Sequence, residues 1–358
     1  MKTYKNKIMM LVCAAAFSVT ACSSSNSFSE PVDNDTPEVN PNPVPAAGTA
    51  KIFTTTADGL YSLAEGESKL YSGASMAPTT IELDLSKKYQ TIDGFGYAIT
   101  YSSCYNLMQM TPENRLALLK RIYSKTEGYG VSYARISLGC NDFSSTEYTY
   151  CDKKGSDADP LSNFALYSDE NDYVIPVLKE ILAINPNLKI IAAPWTCPKW
   201  MKVDDLTSLK AKDSWTDGHL NPAYRETYAK YFVKFINVMK EKGINIYAVS
   251  PQNEPLNKAN CASLYMPWQE EAPFVKALAS QFKQNGISTK IYVFDHNYNY
   301  DNVADQEDYP VKLYNEIGNT FEGSELVVGA AYHDYGGNNS ELSDIHSQRP
   351  DKELIFSE

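Results

Sequence analysis

The chain has only four histidines, none at zinc-ligand spacing. It has no Gly-x-Ser-x-Gly elbow, no His-Glu-x-x-His and no phosphate loop, which removes the usual carriers of serine-hydrolase, zinc-protease and nucleotide chemistry. Seven cysteines in 358 residues, with no Cys-x-x-Cys, are too few for a disulfide-stapled miniprotein. Basic charge is short as well. Lys+Arg number 32 against 44 Asp+Glu, a net charge of −12. A nucleic-acid binder needs a basic face, so no nucleic-acid partner is expected. What is present is apolar and aromatic. Hydrophobic residues make up 43% and charged residues 21%, which excludes a disordered chain. Tyrosine, at 26, combines an apolar ring with a hydroxyl and suits sugars and interfaces alike.

The first residues read as an address rather than as fold. Lys2, Lys5 and Lys7 precede an apolar stretch over 8–19, shorter than the about 20 residues a permanent span needs. Val19-Thr20-Ala21-Cys22 then resembles a bacterial lipobox, whose cysteine is lipidated after cleavage. An ordinary signal peptide with Cys22 incidental is the alternative. Residues 1–21 are expected to be a lipoprotein signal peptide. Residues 22–50, with Pro31, Pro37, Pro41, Pro43 and Pro45, are expected to be a semi-extended tether. Anchor and spacer together place a folded domain in the bacterial cell envelope, lipid-anchored at the periplasmic or outer-membrane surface. Cys104, Cys140, Cys151, Cys197 and Cys261 are expected mainly as buried small hydrophobes, a Cys140–Cys151 bridge being the lesser alternative.

Residues 51–92 read as short strands, with Glu65-Gly66-Glu67 as a turn and period-two alternation over 80–85. From residue 93 the rhythm changes. Apolar strand-like runs at 94–100, 131–139, 189–195, 246–254, 290–297, 326–335 and 353–358 alternate with helical patterns at 112–123, 173–184, 222–242, 272–284 and 311–317. Thr111 and Pro112 start the first of these helices as N-cap and first-turn proline. Such alternation predicts an α/β fold with a parallel sheet, and seven strands favour a (β/α)8 TIM barrel over an open doubly wound sheet.

Barrel chemistry gathers at the C-terminal strand ends. Those ends carry Arg135 with Asn141-Asp142, Trp195, Gln252-Asn253-Glu254, Asp295-His296-Asn297, His333-Asp334-Tyr335 and Glu358. One Asn or Asp at a strand end is commonly a turn former or cap. The same habit at end after end needs another reason. Glu254 and Glu358 close the fourth and seventh candidate strands, which face each other across a barrel mouth. Glycoside hydrolysis needs such a pair. One carboxylic acid protonates the leaving oxygen, and the other attacks the anomeric carbon or activates water. A separation of about 5–5.5 Å gives the nucleophilic, retaining route. In that role Glu254 needs a raised pKa, while Glu358 stays ionised. Two unrelated surface glutamates are the bland alternative, and the apolar runs before both argue against it.

Ser250-Pro251-Gln252-Asn253-Glu254-Pro255 resembles the Asn-Glu-Pro signature on strand four of retaining barrel glycosidases. Ile92-Asp93-Gly94-Phe95-Gly96, Arg135-Ile136, Asp142-Phe143-Ser144, Tyr148-Thr149-Tyr150 and Ala193-Pro194-Trp195-Thr196-Cys197-Pro198-Lys199-Trp200-Met201-Lys202, in that order, resemble glycoside hydrolase family 30. That family includes glucosylceramidases and bacterial β-1,6-glucanases. The resemblance runs from about residue 51 to residue 358. It implies double displacement on a β-glucosidic linkage, with Glu254 as acid/base and Glu358 as nucleophile. It implies that Asn253 hydrogen-bonds the sugar 2-hydroxyl and that Asp142 and Trp195 hold the sugar. Tyr335 would lie beside the nucleophile, Arg135 would support it from below, and His333 would line the pocket. For Arg135 an interior ion pair, and for His333 a satisfied structural histidine, stay open beside those roles. Carboxylates do the work, so no cofactor and no metal are implied.

The resemblance also makes 51–92 the N-terminal part of an accessory β-sandwich and 93–358 a catalytic barrel that stops at its seventh strand. A truncated chain is therefore expected, poorly stable and with little or no activity alone. Tyr97 stands where the family commonly has glycine, Asp334 where glucosylceramidases have Trp, and Tyr101 where Asp is frequent. These departures alter the pocket rim and point away from lipid glycosides, toward a β-glucan with β-1,6 linkage. Trp215, in the polar run 212–219, is the best-placed exposed subsite aromatic, while Trp200 and Trp268 are expected in the core. A non-catalytic glycan-binding lipoprotein descended from such an enzyme, and a hydrolase of another linkage such as β-xylan, are the alternatives.

Overall fold

The computed structural model describes residues 46–71, 81–298 and 303–358. The expected signal peptide, Cys22 and most of the expected tether lie outside the described residues. The chain divides into two units, 1–89 and 90–358.

In the first unit, β1 (Ala46–Thr54) pairs antiparallel with β2 (Ala64–Tyr71). Strand β1 begins inside the stretch expected as tether, so that boundary moves from 50 to before Ala46. Glu65-Gly66-Glu67 lies within β2, opposite Lys51, Ile52 and Phe53, and is not a turn. The chain reverses instead near Asp58-Gly59. There Asp58 accepts from Leu60 N–H at 3.0 Å, and Gly59 takes a left-handed φ of 72° that its missing Cβ permits. Residues 81–85 form no strand, contrary to their alternation.

The second unit is built on β3 (Gly96–Ala98), β4 (Tyr133–Ser137), β5 (Lys189–Ala193), a two-residue antiparallel pair β6 (Lys202–Val203) and β7 (His219–Leu220), then β8 (Ala248–Val249), β9 (Lys290–Asn297), β10 (Val327–His333) and β11 (Glu353–Phe356). The β6–β7 pair stands apart within a loop. The other seven form one all-parallel sheet in the order β3-β4-β5-β8-β9-β10-β11, each on an expected strand. The fourth is far shorter than expected, because Pro251 has no N–H to offer a ladder. Strands β4 and β11 stand five places apart, about 24 Å in a flat sheet at the ~4.8 Å strand spacing. Yet Arg135 on β4 hydrogen-bonds Glu358 just past β11, so the sheet curls into a barrel wall. Strands β3 and β11 are its two edges.

Helices α1 (Tyr101–Gln109), α2 (Pro112–Tyr123), α3 (Ile175–Ile184), α4 (Arg225–Glu241), α5 (Trp268–Gln284), α6 (Tyr309–Ile317) and α7 (Ser340–Gln348) fill the connections. Thr111 caps α2 by accepting from Asn114 N–H at 3.4 Å. Tyr228 of α4 stacks on Phe274 of α5 with centroids 4.9 Å apart, and Phe232 packs beside them. Tyr123, Tyr148, Tyr150, Tyr231, Tyr292 and Tyr332 are likewise fully buried. Much of the tyrosine therefore serves the core, where a large apolar side chain contributes roughly 1.5–3 kcal/mol, rather than a sugar-facing surface. The five described cysteines are free, so Cys140 and Cys151 form no bridge. Burial pushes the Cys104, Cys140 and Cys197 thiols up to about 12, which leaves them inert small hydrophobes.

Candidate active site

Arg135 sits in the middle of β4 between Ala134 and Ile136, on the face that the curled sheet encloses. A buried guanidinium needs acceptors. It donates to Glu358, to Asn253 Oδ1 at 2.6 Å and to Asp295 Oδ2 at 2.9 Å. Its Cζ lies 5.0 Å from the centroid of the Trp195 ring. Burial opposes its charge, but Asp295 and Glu358 outweigh that and raise its pKa. Arg135 is thus paired with two carboxylates, Asp295 and Glu358. It is an interior ion pair, and it holds the proposed nucleophile.

Asp295 is the hub of this network and is fully buried. Besides Arg135, it accepts from the Ser357 hydroxyl and faces His333 Nε2 at 3.0 Å. Burial would raise its carboxyl, but Arg135 first, then His333 and Ser357, hold it well below the usual carboxylate range. A β-bulge aims it inward. Ala331 of β10 pairs with Phe294 and Tyr332 with His296, so Asp295 is the extra residue. Phe294 and Asp295 both take left-handed φ values, 73° and 54°. Such backbone costs about 1–3 kcal/mol per residue and persists only where surroundings enforce it.

Glu254 also has a left-handed φ, 46°, and its N–H donates to Asp295 O at 2.9 Å. Its Oε2 accepts from Asn257 Nδ2 at 2.7 Å and Asn260 Nδ2 at 3.2 Å, while His333 Nδ1 stands 3.6 Å from Oε1. Burial pulls this carboxyl up, but the facing His333 ring and the Asn257 amide outweigh it, and the pKa lies below its ordinary value. A general acid needs a raised pKa, whereas these contacts hold Glu254 below its ordinary value. His333 moves the other way. Burial disfavours its charge, but Asp295 and Glu254 raise its pKa. It is fully buried behind Glu254 and does not line the pocket as expected, because Asp295 and Glu254 both claim its ring.

Glu358 lies just past β11, a quarter exposed, with Oε1 accepting from Tyr335 Oη at 3.0 Å and Oε2 from Arg135. Burial and the Glu358 charge push the exposed Tyr335 hydroxyl up to about 12, so it stays a donor. One pocket is lined by Arg135, Asp142, Phe143, Trp195, Tyr335 and Glu358. Asp142 stands at its rim, and its carboxyl is raised by partial burial and by Glu358. Trp195 is the buried floor, and its indole N–H has no protein acceptor, which suits a ligand rich in hydroxyls. Asn253 Oδ1 is taken by Arg135, leaving its amide nitrogen to donate.

Trp215 does not line this pocket and is less exposed than expected. It is half-buried, with Lys199 Nζ 4.8 Å from its ring. The buried Lys202 ammonium draws its loop down, donating to the carbonyls of Ser214, Trp215 and Ser263 at 3.1, 3.3 and 2.8 Å. Trp200 and Trp268 pack half-buried on the core, and their indole N–H groups donate to Cys151 O and Asp305 O. Sequence reasoning did not single out Asp295, Ser357, Asn257 or Asn260. The signal for Asp295 was present, a charge closing an apolar strand. Among the described residues no group of three or more His, Cys, Asp or Glu could hold a metal ion.

Residues 92–358 match the glycosyl hydrolase family 30 TIM-barrel domain. The chain belongs to glycosyl hydrolase family 30. The seven-stranded sheet is the family 30 barrel in incomplete form. A solved endo-β1,6-glucanase is 54% identical with a TM-score of 0.77, covering 86% of this chain and 64% of that chain. An endo-1,6-β-D-glucanase of Trichoderma harzianum is 29% identical over 330 residues, 88% of this chain and 64% of the relative. The lysosomal acid glucosylceramidase of Mus musculus is 30% identical over 223 residues, 61% of this chain and 41% of that relative. The chain therefore spans just under two thirds of the length of the two glucanases, and less of the glucosylceramidase.

Proposed function

We propose that the protein is a retaining β-glucoside hydrolase whose substrate is β-1,6-glucan. One observation carries this reading. Glu358, at the seventh strand end, lines the pocket, and Glu254, at the fourth, is joined to it through a single Arg135–Asp295–His333 chain of contacts. Glu358 attacks the anomeric carbon while Glu254 protonates the departing oxygen, giving a glycosyl-enzyme. Glu254 then deprotonates a water that displaces Glu358. Arg135 and Tyr335 fix the attacking carboxylate, and Asn253 donates to the sugar 2-hydroxyl, a contact that strengthens in the transition state. Bound sugar excludes water from Glu254 and raises its carboxyl toward the value a proton donor needs. The linkage is supported by the likeness to the two endo-1,6-glucanases.

The test is release of reducing ends from β-1,6-glucan, with β-xylan and glucosylceramide in parallel. Preference for either comparator, or saturable glycan binding without turnover, would overturn the reading. Glu254→Ala should lower kcat on β-1,6-glucan by about 10²–10⁴-fold. A dinitrophenyl β-glucoside, whose leaving group needs no proton, should form its glycosyl-enzyme at close to the wild-type rate. Equal losses on both substrates would remove Glu254 from the acid role.

We further propose that Cys22 is lipidated and anchors the protein in the cell envelope, from the basic, apolar and small-residue order of residues 2–22. Palmitate labelling in the native host should be lost in Cys22→Ala. Labelling that survives would contradict the anchor. The β1–β2 hairpin is proposed as the first part of an accessory β-sandwich.

A further inference from the structure

The Asp295 bulge has a second layer behind it. Two consecutive non-glycine residues, Phe294 and Asp295, hold left-handed backbone within β9, which bulky side chains resist. A strand free to relax would slip toward regular register and swing the Asp295 carboxylate off Arg135 and His333. Glu271, fully buried in the first turn of α5, meets this bulge from the helix layer. Its Oε1 accepts from Phe294 N–H at 3.2 Å. Its Oε2 is hydrogen-bonded to the Tyr309 hydroxyl at the start of α6, and that hydroxyl also lies 2.6 Å from Met266 O. Tyr309 has one proton for two acceptors. When it goes to Met266 O, the Glu271 contact needs a proton from Glu271, so the geometry asks for a neutral carboxylic acid. Burial pushes the Glu271 carboxyl up to about 8, which agrees. Met266 N–H in turn donates to Pro255 O at 2.7 Å, one residue past Glu254. One cluster thus grips the backbone beside both the acid/base and the hub.

We propose that Glu271, with Tyr309, is a positioning pair for the hydrolysis: it locks the Phe294–Asp295 bulge and thereby aims Asp295, Arg135 and His333 at the two catalytic carboxylates. This rests on the hydrolase reading above. Neither residue is among those lining the pocket. Glu271→Gln keeps an acceptor for Phe294 N–H and a donor for the Tyr309 hydroxyl. Glu271→Met keeps the volume and removes both.

Rates are read per active site titrated with a 2-fluoro glucoside, so unfolded protein does not count. Glu271→Gln should stay within about twofold of wild type, and Glu271→Met should lose roughly 30-fold in kcat with KM nearly unchanged, as a small misplacement of reacting groups does. The limbs of its kcat/KM pH profile should also move, since Glu254 faces His333, whose ring Asp295 holds. A lower Tm with wild-type kcat per site and unmoved limbs would overturn the proposal. So would Glu271→Gln as impaired as Glu271→Met. Where Glu271→Met does not fold, Tyr309→Phe removes only a hydroxyl and should lower kcat per site about threefold or more. Wild-type kinetics in that variant would also overturn it. Failure of the wild type to hydrolyse any β-glucoside sinks the hydrolase reading instead, so the two failures are distinct.

Discussion

Replacing Glu358 with Ala should abolish turnover of every β-glucoside, a loss of at least about 10⁴-fold in kcat, because no other group can form the covalent intermediate. The fold should survive. Glu358 lies past β11 and is a quarter exposed, and Asp295 still neutralises Arg135. The cavity left behind admits a small anion. Azide added to Glu358→Ala should restore cleavage of an activated glucoside and yield the α-glycosyl azide, since attack comes from the face the carboxylate occupied. Residual wild-type turnover, or rescue that gives the β-azide, would contradict the nucleophile assignment.

Asp295 carries the second large effect, on stability as well as rate. Its carboxylate is fully buried against Arg135 and His333. Asp295→Asn leaves the buried guanidinium short of a counter-charge, which costs about 3–5 kcal/mol when one partner of a buried pair is removed. Both catalytic carboxylates then lose their reference point, and kcat should fall by about 10²-fold or more. The effect has a pH signature. The folded-state pKa of Asp295 is depressed below the ordinary 3.8. Its stabilisation is therefore fully present above that value and is lost as pH falls through the window below it. Urea midpoints should place Asp295→Asn well below wild type at pH 6, with the gap narrowing as pH drops below about 4. Equal midpoints at pH 6, or a gap that widens in acid, would show that the hub does not hold the fold.

The barrel was legible because parallel strands enclosed on both faces read as apolar runs, and all of these runs but the first led into residues with hydrogen-bonding side chains. Two helices escaped notice for a physical reason. Helix α1 is rich in Ser, Cys, Tyr and Asn, and α7 in Ser, Asp and His, all mediocre helix formers. Each buries little, α1 only Cys104 and α7 only Glu341 and Ile345, so no 3.6-residue stripe announces them. Glu254 and Glu358 could be read from their strand ends. Asp295 could be seen as a polar strand end but not as the hub, because a period-two strand gives no notice of the bulge that turns it inward. The direction of the Glu254 pKa was not legible for a related reason. Its own strand is apolar, and the groups that lower it, His333 and Asn257, come from β10 and from a loop whose course sequence did not reveal. Trp215 looked exposed because its loop is polar. The ammonium that pulls that loop inward belongs to Lys202, thirteen residues earlier.

The most direct test of the account is covalent trapping of the purified protein with a dinitrophenyl 2-deoxy-2-fluoro-β-glucoside, followed by proteolysis and mass mapping. The fluorine destabilises the second transition state, so the glycosyl-enzyme accumulates while the activated leaving group still departs. The account predicts a single 2-fluoroglucosyl ester on Glu358, absent from Glu358→Ala. An adduct on Glu254 or any other carboxylate, or none from protein that turns over the parent glucoside, would contradict it.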